Sequence, residues 1–137
     1  MAVVIDTHVI VWYILKPERL SETASLALEQ TVGAGEFIYL PAISLVEICF
    51  LIERDRLPAV VLERLTAAIG QPDSSVMVVP LDQAIGLAIA QIDRATVPEM
   101  PDRIIAATAL HLNAPLITRD HKIQALQNVQ TIWREID

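Results

Sequence analysis

AVVIDTHVIVWYIL, residues 2–15, frames the whole chain. Ala2 to Ile5 is short and continuously apolar, as a strand buried on both faces requires. Asp6 breaks the run. A helical stretch follows from about His8 to Leu15 and ends before Pro17. A strand passing directly into a helix is the first half of a βαβ unit, and the remaining sequence repeats that alternation. Ser21 to Thr31 reads as a helix, with Ser21 as its cap and Gly33 beyond its end. Phe37 to Leu40 is the second strand. Ser44 to Arg54 is helical, and Pro58 opens another helix that runs to Ile69 and stops at Gly70. Val76 to Val79 is the third strand, and Asp82 caps a helix ending near Arg94. Residues 102 to 112 form a helix terminated around Asn113 and Pro115. Leu116 to Thr118 is the fourth strand, a short helix starts at about His121, and Val129 to Trp133 fits a fifth strand at an edge. The expected class is α/β: a single-domain α/β/α sandwich, residues 1–137, around a mostly parallel central sheet of four to five strands.

The 137 residues match the usual size of one domain, and 53% hydrophobic content is ample for a core. The longest strongly apolar run, Val9 to Leu15, is far shorter than the roughly 18 residues of a membrane span. MAVVIDTH has no basic n-region and no small-residue cleavage site, so no secretory signal is expected. The one cysteine, Cys49, excludes an internal disulfide framework and fits a reducing cytosol; its expected role is a buried core thiol. These features together point to a cytoplasmic protein. A formal net charge of −7 argues against a broad basic groove for nucleic acid. It leaves room for bound cations and, weakly, for a basic protein partner.

Four acids sit at four separate breaks: Asp6, Glu47, Asp102 and Asp120. Each has a local explanation as a helix cap. Asp6 would cap the helix near His8, Glu47 would form a capping box with Ser44, and Asp102 and Asp120 would cap the helices they precede. The joint pattern points elsewhere. Ligands of open α/β sheets bind where strand order reverses, at the carboxyl ends of the strands. If strands one and four are neighbours there, the acids converge. Carboxylates crowded in a cleft repel and call for a cation. A hard divalent ion with oxygen ligands suits them and leaves room for a substrate phosphate.

The chain resembles the PIN-domain family, especially the VapC-type toxin ribonucleases of toxin–antitoxin pairs. The resemblance rests on DTHVIVW at 6–12, SLVEI at 44–48, PDRIIAATA at 101–109 and LITRD at 116–120. These occur in the family's order and span nearly the whole chain. PDRIIAATA followed by ITRD is the most specific part. Ala106, Ala107 and Ala109 have a physical reason as well, since small residues let a helix approach the sheet closely. The resemblance implies a metal-dependent endoribonuclease that uses one or two Mg²⁺ or Mn²⁺ ions and leaves 5′-phosphate and 3′-hydroxyl ends. It assigns Asp6, Glu47, Asp102 and Asp120 to the acidic metal site. Thr118 matches the position whose hydroxyl holds Asp6 or a metal-bound water. Glu99 stands where many members carry another acid, usually Asp, and is an accessory ligand. An antitoxin partner and a homodimer are also implied.

Arg103 and Arg119 flank the acids and are candidate phosphate contacts; Arg103 and Lys122 have the alternative of pairing with a neighbouring acid. His8, His111 and His121 lack metal-ligand spacing. His8 is expected to pack or hydrogen-bond locally, and His111 to end a helix. Trp12 and Tyr13 read as core or interface rather than base-stacking platforms. Ile48, Phe50, Leu51 and Leu62 fit either a partner face or a cover for the sheet. A phosphatase of the haloacid dehalogenase type needs a second Asp two residues after the first, where this chain has His8. A phospho-receiver needs adjacent early acids, which are absent. The rival from another class is a non-catalytic metal-binding or protein-interaction domain with the same fold.

Overall fold

The computed structural model describes residues 1–134. Five strands form one sheet in the order β3-β2-β1-β4-β5: β1 is Val3–Ile5, β2 Ile38–Pro41, β3 Val76–Val79, β4 Leu116–Ile117 and β5 Thr131–Ile132. Every pairing is parallel. The expected sheet was mostly parallel with four to five strands; it has five, all parallel, and β5 is an edge strand as anticipated. β1 is central. The chain winds from β1 through β2 to β3 on one side, then returns to place β4 and β5 on the other. The reversal falls between β1 and β4, where Val4 pairs with Leu116 and Ile5 with Ile117.

Successive strand side chains point to opposite faces, and β1 accordingly feeds two cores. Val3 and Ile5 pack with Val9, Ile10, Leu28, Ile48 and Leu65. Val4 packs on the other face with Ile85, Ile92, Ile105 and Ile123. The helices that supply these residues are α1 (Thr7–Leu15), α2 (Glu22–Gly33), α3 (Ala42–Glu53), α4 (Val60–Ile69), α5 (Gln83–Ala88), α6 (Met100–Leu112) and α7 (His121–Gln124). In α6, Ala106, Ala107 and Ala109 are buried against the sheet, and the close approach expected of small residues is realised.

Several boundaries move for physical reasons. α3 begins at Ala42, directly after Pro41, rather than at Ser44. α5 is shorter than expected. It tightens into a 3₁₀ turn at Ile89–Gln91 and stops before Arg94, where the Arg103 guanidinium takes the carbonyls of Ile89 and Ile92 at 3.0 and 3.1 Å. α6 ends at Asn113 in the left-handed region, φ 52°, a conformation asparagine tolerates better than most residues. Cys49 corrects the expectation of a buried thiol: it is exposed on α3. The apolar residues of α3 and α4 divide. Ile48 covers the sheet, whereas Phe50 stands 49% exposed. Among the described residues, no helix is long and apolar enough to cross a membrane.

Candidate functional site

The break after β1 does two jobs at once. Asp6 is buried, 3% exposed. Its Oδ1 accepts the Thr7 amide at 2.7 Å and so caps α1. Its Oδ2 accepts the Thr118 hydroxyl at 2.6 Å. Thr118 in turn accepts the Asp120 amide at 3.0 Å. Asp120 Oδ1 caps α7 through the amides of Lys122 and Ile123. An unbroken chain of hydrogen bonds therefore runs from the exit of β4 to the exit of β1, and the expected clasp between Thr118 and Asp6 is present.

Glu47 and Asp102 do not behave as caps. The N-cap of α3 is Pro41 and makes no side-chain cap bond, so the capping box between Ser44 and Glu47 does not form. Ser44 is fully buried and its hydroxyl lies 2.8 Å from that of Thr7. The Thr7 hydroxyl spends its one proton on Glu47 Oε1 at 2.6 Å, so Ser44 is the donor to Thr7. Asp102 sits in the first turn of α6 behind Glu99, which occupies the N-cap position without capping. Thr7 is the residue that sequence reasoning passed over, its signal being membership of the DTH segment, and Ser44 was read only as a capping partner.

Asp6, Glu47 and Asp102 line one cavity of about 240 Å³, together with Thr7, His8, Val11, Trp12, Leu51 and Leu57. Asp120 lines a second cavity that shares His8 and Trp12 with the first. The electrostatics join the two. Burial pushes the Asp102 carboxyl up to about 7, helped by the charges of Asp6, Asp120, Glu47 and Glu99. Burial also raises Glu47, and Asp6 adds to it against the opposing hydrogen bond from Thr7. His8 accepts the Arg119 amide on Nε2 at 3.1 Å, which puts its proton on Nδ1, 3.5 Å from Asp6 Oδ2. Burial lowers its pKa, although Asp6 and Asp120 pull the other way. His8 is therefore a locally hydrogen-bonded side chain, as expected.

The outlying candidates fare differently. Glu99 is exposed and pairs with Lys122 at 3.2 Å, the acid pairing anticipated for that lysine. The Arg103 guanidinium donates to the backbone carbonyls of Ile89 and Ile92, and, after the Thr96 hydroxyl, its charge helps lower the carboxyl of the neighbouring Asp93, the kind of acid partner anticipated as its alternative. Its Nε is buried without a partner. Arg119 lies over the Trp12 ring, 5.7 Å from its centroid. Trp12 is half-buried, packs against the core as expected, and walls both cavities. His111 lies in the last turn of α6. Among the described residues, no group of three or more His, Cys, Asp or Glu side chains is placed to hold a metal ion. The donor chemistry still suits a hard cation: oxygen donors from four chain segments surround a carboxyl whose charge is opposed by its neighbours.

Comparison with known proteins bears on the family and the fold. The chain is 26% identical over 133 residues to ribonuclease VapC22 of Mycobacterium tuberculosis (strain ATCC 25618 / H37Rv), covering 96% of this chain and 98% of that protein. The fold is shared with VapBC2 of Rickettsia felis, solved bound to a promoter DNA fragment, at TM-score 0.71 and 16% identity over 96% of this chain and 97% of that one. It is shared with a toxin–antitoxin complex from Klebsiella pneumoniae at TM-score 0.61 and 21% identity, over 98% and 99% of the two chains. The model of the PIN domain matches residues 3–129, and the chain belongs to the PIN-domain family.

Proposed function

We propose that the chain is a divalent-metal-dependent endoribonuclease acting as the toxin of a toxin–antitoxin pair, with Asp6, Glu47, Asp102 and Asp120 as its acidic centre. The observation that carries the reading is the Asp102 carboxyl, held near neutrality by burial and by the charges of Asp6, Asp120, Glu47 and Glu99. Such a cluster is costly without a cation and favourable with one. Likeness to a relative named as a ribonuclease supports the activity. Likeness to a structure named as a toxin–antitoxin complex supports an antitoxin partner. The chain is read as one PIN-like domain, working in the cytoplasm, with a homodimer as the assembly to test.

Asp6 and Asp120 are the candidates for direct Mg²⁺ or Mn²⁺ ligands, with Glu47 and Asp102 completing the set and Glu99 as an accessory at the rim. When bound, the cation supplies charge neutralisation at the scissile phosphate and acidifies water. The protein's own part is orientation. Thr118 fixes the rotamer of Asp6, and Ser44 through Thr7 fixes Glu47. Asp102, its carboxyl pushed up to about 7 by burial and by its acidic neighbours, would release its proton to solvent on binding a cation. Val11, Leu51 and Leu57 keep part of the cavity wall apolar, which strengthens those charge interactions.

The test is cleavage of a mixed RNA pool with Mg²⁺, Mn²⁺ or EDTA, alongside Asp6→Asn. Metal-dependent cutting, lowered by Asp6→Asn about a hundredfold or more on the scale of a lost electrostatic contact, is the expected result. Cutting by the variant at the wild-type rate defeats the site assignment. Metal binding without cutting by either protein supports a non-catalytic interaction domain.

A further inference from the structure

α6 brings Asp102 to the acidic cavity on a first turn that has no cap to hold it. Glu99, in the N-cap position, offers the first amides no side-chain acceptor. It turns to Lys122 instead, in an exposed pair that adds little rigidity. The load on this turn is high. Beyond its burial, the Asp102 carboxyl meets the charges of Asp6, Asp120, Glu47 and Glu99, all of its own sign. An ionised Asp102 is therefore pushed out of the cavity. An uncapped helix end is the part of a helix that frays most readily.

The next residue supplies the missing restraint. Arg103 Nη2 spends both of its protons on backbone carbonyls, that of Ile89 at 3.0 Å and that of Ile92 at 3.1 Å. The two carbonyls belong to the 3₁₀ turn after α5 and its last residue, a helical C-terminus that favours a cation. The bond to Ile92 closes the chain across 11 positions and ties together the ends of the connection that leads into α6. That connection has little slack. Val97 within it is fully buried, and the Thr96 hydroxyl donates to Asp93 at 2.6 Å. Hydrogen bonds from a charged donor are the stronger kind. The groups whose charge bears on Asp102 are all acids, so the guanidinium serves the cavity as a brace and not as a counter-charge.

We infer that Arg103 is the positioning residue for Asp102: by locking the first turn of α6 to the end of the α5 stretch, it keeps the Asp102 carboxylate at the acidic cavity against the repulsion of its neighbours. The brace stands on the hydrogen bonds; its use in holding a divalent cation rests on the ribonuclease reading.

The experiment compares the full chain with Arg103→Met, Arg103→Lys and Ile38→Val. Ile38 lies in the core on the other face of the sheet from α6, and its variant reports on stability alone. Amide hydrogen exchange is followed in EDTA, and Mn²⁺ affinity through the electron spin resonance of the free ion. In Arg103→Met, exchange in the first turns of α6 is expected to rise about tenfold or more, and Mn²⁺ affinity to fall about tenfold to a hundredfold. Arg103→Lys keeps a charged donor for the two carbonyls and is expected to recover most of both losses. Ile38→Val is expected to lower the urea midpoint and leave Mn²⁺ affinity unchanged. Arg103→Gln, with a shorter neutral donor, replaces a methionine variant that fails to fold, under the same criteria. Wild-type exchange or wild-type Mn²⁺ affinity in Arg103→Met, an equal affinity loss in Ile38→Val, or no recovery by lysine would each overturn the inference. A wild type that binds no Mn²⁺ would sink the ribonuclease reading and leave exchange to decide alone: faster exchange in Arg103→Met sustains the brace, and unchanged exchange overturns it.

Discussion

Replacing Asp102 with asparagine should stabilise the metal-free protein at neutral and alkaline pH, although it removes a residue of the candidate centre. The carboxyl is raised from 3.8 to about 7 by burial and by the surrounding acids. The folded state therefore binds its proton more tightly than the unfolded chain. The associated stability is fully present below pH 3.8, is lost progressively as pH rises towards 7, and stays lost above it. Taken at face value the shift corresponds to about 4 kcal/mol. The carboxyl is only half-buried, so water screening reduces this to roughly 2 kcal/mol. Asparagine mimics the neutral acid and escapes the penalty. Urea unfolding in EDTA should then show the variant gaining about 2 kcal/mol over wild type between pH 4 and pH 8. Saturating Mg²⁺ should reverse the order, because the cation stabilises only a protein that binds it well, by about 2.7 kcal/mol at a hundred times Kd. A pH-independent difference, or a variant less stable than wild type in EDTA at pH 8, would refute the account of crowded negative charge.

Other expectations follow from single contacts. Thr118→Val keeps the shape but removes the hydroxyl that joins Asp6 to the Asp120 amide; Mg²⁺ affinity by titration calorimetry should fall about 10- to 100-fold, and an unchanged affinity would remove Thr118 from the site. Thr7→Val leaves Glu47 and the buried Ser44 without their shared partner and should cost about 1–3 kcal/mol in urea unfolding, with Thr7→Ser restoring most of it. Asn113→Ala places a Cβ-bearing residue with no local hydrogen-bonding side chain at φ 52° and should cost about 1 kcal/mol, whereas Asn113→Gly should not lower the melting temperature.

The alternation of strands and helices was legible because the first four strands are short, largely apolar runs, closed by a polar residue or by proline. Asp6, Asp120 and their caps were legible for the same reason, since both follow strand ends. The role of Ser44 was not. S-x-x-E imitates a capping box, and only the true start of α3 at Ala42 shows that Ser44 lies inside the helix, facing Thr7. The bond from Thr7 to Glu47 joins two helices across 40 positions, which no local spacing encodes. Cys49 was misjudged because α3 is apolar almost all round: with Val46, Ile48 and Phe50 beside it, periodicity cannot say which side meets water. The backbone bonds of Arg103 were not legible, because carbonyls are partners that any sequence carries.

The central position of β1 has a consequence for synthesis. Its pairing with β4 joins residues 4 and 5 to 116 and 117, a closure that comes late in a chain made from its N-terminus onward. A nascent polypeptide that has released β1, β2 and β3 carries Asp6 and Glu47 but neither Asp102 nor Asp120. The Thr118 clasp on Asp6 is missing as well. On the ribonuclease reading, the ribosome and its message are thus exposed to half a centre for most of translation. The last acid arrives only when Asp120 has cleared the exit tunnel, so the order of synthesis itself delays the hazard.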